Sequence, residues 1–163
     1  RWACSTLLSF RSCRPIGITA AAFIRVAQDS AARPDEAERR PAVSRAYYAA
    51  FHSARDFFDA LGFRVPRAEA AHIYLSRRLP AARSAPELAT AGNDLDTLRG
   101  YRNEADYDLV KFVSSAKSQL AVTLAARILS QLSITPNPAD QSILAAGISA
   151  YETNERREST RRS

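Results

Sequence analysis

Arg102 occupies a position that the surrounding pattern reserves for a hydrophobe. Stepping by threes and fours from Leu88 gives Ala91, Leu95 and Leu98, then Arg102, Ala105 and Leu109. A guanidinium at such a site does one of two things. It pairs with a buried carboxylate as architecture, because buried charges need partners and the planar fork suits bidentate pairing, or it projects into a cleft and holds phosphate. Asp106 lies four residues on, within reach along the same helix face, and pairing between the two would favour architecture. Asn103 either donates its amide to a phosphate or base edge or faces solvent near a helix end, and Tyr107 reads as a packed aromatic at that end. Arg102, Asn103, Asp106 and Tyr107 form the candidate catalytic set.

A second constellation is Arg45, His52 and Asp56, at spacings of seven and four on one helix face. A hydrogen bond from His52 to Asp56 would raise the imidazole pKa, although a helix wedged in a bundle often satisfies its few polar residues in this way. Arg45, His52 and Arg99 are the candidate ligand-binding residues. His72 falls near the apolar phase of its own segment and reads as a satisfied interior histidine. Two histidines without neighbouring cysteines or clustered carboxylates support no metal centre, and Cys4 and Cys13 alone support neither a zinc site nor a disulfide framework. No metal and no cofactor is expected.

The elements that must position these residues are helical. A first helix is predicted from about 19 to 32, burying Ala22, Phe23, Val26 and Ala27. After "ARPDEAERRP" a second runs from about 41 to 61, with Pro41 in its first turn, where a missing N–H costs nothing, and Gly62 as its stop. Its stripe of Val43, Tyr47, Ala50, Ala54, Phe57 and Leu61 is widened by Ala46, Phe51 and Phe58 well beyond the roughly 100° a surface helix needs, so it belongs between neighbours. A shorter helix from about 67 to 79 turns Ala71, Tyr74, Leu75 and Leu79 inward and ends at Pro80. Ser84 then caps a helix to about 105 or 106, and Ser114 or Ser115 caps another to about 132, burying Leu120, Leu124, Ile128 and Leu132. "ADQSILAAGISAY" predicts a small accessory helix before a polar tail from Glu152.

The expected fold is therefore all-α, an up-and-down bundle of four main helices plus a shorter one. An N-terminal segment occupies 1–18, the bundle 19–132, and the accessory helix with its basic tail 133–163. Few glycines and hardly any β-branched runs point the same way. The formal charge of +6 is a property of the ends: residues 1–34 carry five basic side chains against one acidic, 35–108 eleven against twelve, and 109–163 seven against four. A basic tail can attract phosphate by Coulomb steering, but the middle of the chain is balanced. The Arg- and Ser-rich start superficially suits a transit peptide, yet its apolar run is only about five residues; a non-native or mis-called start is the simpler reading. With no apolar stretch near the roughly 20 residues of a span, a cytoplasmic protein without a membrane is expected.

Two segments together carry a family resemblance. "SRAYYAAFHSARDFFDALG", followed about 40 residues later by "LRGYRNEADYDL", with "AHIYLSRRL" between them, resembles the HEPN domain, a helical bundle of prokaryotic toxin–antitoxin and defence modules often encoded beside a small nucleotidyltransferase. The resemblance covers about 19–132. It implies a homodimer and, in catalytic members, a metal-independent ribonuclease site built from an Arg followed after four to six residues by His. Here those His slots hold Tyr107, Asp108 and Leu109. The Arg-Asn-x-Ala-Asp-Tyr form that remains looks like the branch whose nuclease activity is least secure, and in some relatives a nearby tyrosine accepts a nucleotide from the partner enzyme. The resemblance thus implies a subunit that binds RNA or a nucleotide and a nucleotidyltransferase partner without cutting RNA. The alternatives are a ribonuclease in which His52 or Tyr107 replaces the missing His beside Arg102, and a structural interaction domain with no ligand.

Overall fold

The computed structural model describes residues 18–81, 86–133 and 138–162, and among these every regular element is helical. Six α-helices follow in order: α1 (Ala20–Ala31), α2 (Glu36–Ala60), α3 (Glu69–Arg78), α4 (Pro86–Tyr107), α5 (Ser115–Ser133) and α6 (Pro138–Arg162), with a 3-10 turn, Leu79–Ala81, after α3. Expectations for the N-terminal segment, including Cys4 and Cys13, and for Ser84 as a cap lie outside the described residues.

Helix α2 is central, as its broad apolar girth requires. It packs on α1, α4 and α5, which also touch one another through α1–α5 and α4–α5, while α3 lies against α4 and α2. Ala42, Val43, Ala46, Ala50, Ala54 and Phe58 are wholly enclosed, and Phe51 and Phe57 nearly so. Small residues dominate that list, so neighbouring helices approach the α2 backbone closely and close packing substitutes for bulk.

Four sequence expectations need correction. Helix α2 begins at Glu36, not near 41: Asp35 Oδ1 accepts from Ala37 N at 3.0 Å, and Glu36 and Glu38 place negative charge in the first turn. Pro41 thus sits inside the helix, on its exposed face. Val26 and Leu120 are exposed. The inward stripes instead run through Ala27 and Ala31 in α1, and through Ser118, Ala121, Ala125, Ile128 and Leu132 in α5. Lastly, α6 is 25 residues long, as long as α2, and continues past Glu152. Its Glu- and Arg-containing second half has no Gly or Pro to stop it. Glu152 also ties it to α3, accepting from Tyr74 Oη at 2.8 Å and pairing with Arg78 Nε at 2.9 Å.

Three local devices set the geometry around α3 and α4. Gly62, at φ 84°, ends α2 in a conformation that favours glycine. Gly92 lets α4 approach the 3-10 turn, because a Cβ there would lie 2.6 Å from Pro80 Cδ. The α4–α5 connection is held by α2: Arg40 donates to the carbonyls of Ala105 (3.0 Å), Asp108 (3.2 Å) and Lys111 (2.6 Å) and pairs with Glu36, whose Oε1 accepts from Val113 N at 3.0 Å. Arg39 adds bonds to the carbonyls of Val113 and Pro34. Arg40 therefore satisfies carbonyls that the end of α4 leaves open.

Candidate functional site

Helix α4 carries Arg99, Arg102, Asn103 and Tyr107 on one face by its own period, and α3 stands opposite with Glu69 and His72 one turn apart. Tyr47 of α2 closes the floor. Together with Ala68 these residues line an open cleft of about 610 Å³. Of the candidate set, Arg99, Arg102, Asn103 and Tyr107 thus share one cleft, and Asp106 supports it from behind.

Arg102 is neither a buried ion pair nor a free cation. Its Nε lies 2.9 Å from Asp106 Oδ2, but the N–H is not aimed at the oxygen and forms no directed hydrogen bond, so the contact is one of charge alone. Nη1 donates to Asn103 Oδ1 and Nη2 to Tyr48 Oη, both at 3.1 Å. The guanidinium lies 5.0 Å from the centroid of the Tyr107 ring and 5.7 Å from that of Tyr48. Asp106 in turn accepts from Ser44 Oγ at 3.2 Å. Arg102 fits an apolar slot because two tyrosine faces and a hydroxyl of α2 receive it there. Burial opposes its charge, but Tyr48, Tyr107 and Asp106 outweigh burial and raise its pKa.

Arg99 is the freer cation. Its nearest carboxylate, Asp96, is 3.7 Å away on the helix surface, and a third of its side chain is exposed. Neither Asp96 nor Asp106 lines the cleft.

His72 and Tyr47 are the residues that sequence reasoning missed, since His72 reads there as interior. The Tyr47 hydroxyl bonds His72 Nδ1, its one hydrogen-bond partner among the described residues. Burial drives the Tyr47 pKa far up, so the phenol keeps its proton. A protonated phenol either donates to a bare Nδ1, leaving the imidazole proton on Nε2, or accepts from an Nδ1–H, and the contact fits both tautomers. Burial first, and then Arg102 and Arg99, hold the His72 pKa below 6.5 against Glu69. At neutral pH His72 is uncharged and anchored by Tyr47.

Arg45 and His52 lie elsewhere, on the α1 side of α2. His52 stacks on Phe23 with ring centroids 5.3 Å apart, and Arg45 lies over the same ring at 6.0 Å. The expected effect of Asp56 does not prevail: burial lowers the His52 pKa, and the carboxylate opposes without winning. Tyr107 is not packed as expected but 71% exposed, its ring against Arg102 at the mouth of the cleft. Among the described residues no cluster of three His, Cys, Asp or Glu could hold a metal, and no helix is long and apolar enough to cross a membrane. Comparison with family models, curated proteins and solved structures finds no match.

Proposed function

We propose that this chain is a HEPN-type subunit whose α3–α4 cleft binds a phosphate-bearing ligand, RNA or a nucleotide, without cutting it. In this reading it works as a homodimer beside a nucleotidyltransferase partner in a toxin–antitoxin or defence module. The observation that carries the proposal is the convergence of Arg99, Arg102 and His72 on one open cleft, which Asp96 and Asp106 do not line and in which two arginines face the one carboxylate of Glu69. Charge-assisted donors of this kind recognise phosphate oxygens. "YRNEADY", which bears the resemblance, is the α4 segment that furnishes this wall. The exposed Tyr107 hydroxyl is accessible to a partner enzyme that transfers a nucleotide.

Cutting is disfavoured by protonation state. At neutral pH an uncharged His72 is a poor acid, and the His slots of the motif hold Tyr107, Asp108 and Leu109. A ribonuclease reading survives in one form, because Glu69 and His72 both line the cleft: Glu69 would act as base and protonated His72 as acid, so cleavage would rise as pH falls below 6.5. Short RNA incubated in EDTA across that pH range, with binding followed in parallel, separates the two. Binding with intact RNA throughout supports the proposal, acid-activated cleavage supports the alternative, and no binding of RNA or mononucleotide refutes both.

A further inference from the structure

The connection between α2 and α3 forms the wall of a second cleft, of about 690 Å³, lined by Arg55 and Asp59 of α2 and by Arg64, Val65, Pro66 and Arg67. Three arginines face one carboxylate there. None of the three guanidinium groups forms a hydrogen bond or ion pair with a described residue. This contrasts with Arg39, Arg40, Arg78, Arg102 and Arg127, each of which is committed to a carbonyl, hydroxyl or carboxylate.

The wall is built rather than slack. Val65 is buried in the core, Phe63 packs edge-on against Phe58 at 5.9 Å, and Pro66 restricts the backbone between Arg64 and Arg67. Ala68 then adopts φ 57° and ψ −145°, a conformation costly for any residue but glycine. That turn puts Arg67 on the second cleft and Ala68 with Glu69 on the cleft of Arg99 and Arg102. The two clefts are therefore neighbours across three consecutive residues, 67–69.

We infer that the ligand is a single-stranded polynucleotide that runs through both clefts, with successive phosphates held by Arg99 and Arg102 on one side of Ala68 and by Arg55, Arg64 and Arg67 on the other. A mononucleotide would leave the second cleft unused, whereas a strand offers a phosphate to each. This deepens the proposed function and rests on it.

The test is binding of uridine monophosphate and of oligouridylates from about 2 to 12 nucleotides long to wild type, Arg64→Gln, Arg67→Gln and Arg99→Gln. Affinity should rise with length and then level off. Arg64→Gln and Arg67→Gln should each weaken the longest oligonucleotide by about tenfold, leave the monophosphate unchanged, and reduce the salt slope by roughly 0.7. Both arginines are exposed, so melting temperatures should match wild type. Length-independent binding that responds to Arg99→Gln alone would overturn the inference and leave the proposed function standing. Absence of binding to wild type would remove both.

Discussion

Arg40 and Arg102 both tie α2 to α4, and they do it differently. Arg40 donates mainly to main-chain carbonyls at the end of α4 and to Glu36, partners fixed by the fold. Arg102 bonds only side chains, Asn103 and Tyr48, with Asp106 in charge contact, and it does so at the edge of an open cleft. Arg99, three residues earlier, is held by little. The three form a series from architecture to availability, and apolar phase does not order it: the residue in the hydrophobic slot is the intermediate one. What orders it is how many of the five guanidinium donors the fold itself has used.

That series is open to breakage. Arg40→Ala should cost the most, about 3 kcal/mol or more, because several charge-assisted bonds vanish together and carbonyls at the α4 end lose their donor; urea unfolding would show it, and a loss below about 1 kcal/mol would contradict the architectural role. Gly92→Ala should cost about 1 to 3 kcal/mol by overpacking against Pro80, and by pushing α4 from the turn after α3 it should also weaken ligand binding. Arg102→Ala should fall near 1 to 2 kcal/mol, since Asp106 keeps Ser44 and a quarter of its side chain is already exposed. A loss of 3 to 5 kcal/mol, expected when a buried partner is stranded, would move Arg102 into the class of Arg40.

The smallest effect is with pH. His72 and His52 both have pKa values lowered from 6.5, each chiefly by burial, so below pH 6.5 the unfolded chain binds more protons than the native one. Their contribution is complete above 6.5 and is lost as pH falls through the folded values. Glu36, held low by the Val113 N–H and by Arg40, follows in the acid range: its contribution is present above 4.5 and fades as pH falls further. Melting temperature against pH should decline in two stages, and His72→Gln should shrink the first. An unchanged first stage would contradict the burial of that imidazole.

Local signals carried much of the fold. Helices α1 and α5 were legible because apolar period and capping residues agree, as with Thr19 accepting from Ala22 N and Ser114 from Lys117 N, and α4 was legible from its apolar period. The start of α2 was obscured because Pro41 resembles a first-turn proline, while the true signal, Asp35 followed by two glutamates, sits in a stretch that looks like a breaker. Val26 and Leu120 show that a periodic stripe can be drawn one residue out of phase when alanine and serine make the real contact. Within the site, Arg102 stood out as a violation of pattern, whereas His72 did not, because its role depends on Tyr47, 25 residues away. Arg39 and Arg40 gave no local hint either, since their partners lie in the connection after α4.

The chain has two histidines, one in the cleft and one stacked on Phe23, which makes the central claim directly measurable. Nitrogen-15 NMR of the imidazoles at neutral pH, before and after addition of a short RNA, should show His72 neutral and shifted by the RNA, while His52 stays unmoved. A His52 that responds while His72 does not, or a His72 that is charged at neutral pH, would contradict the α3–α4 cleft as the binding site described.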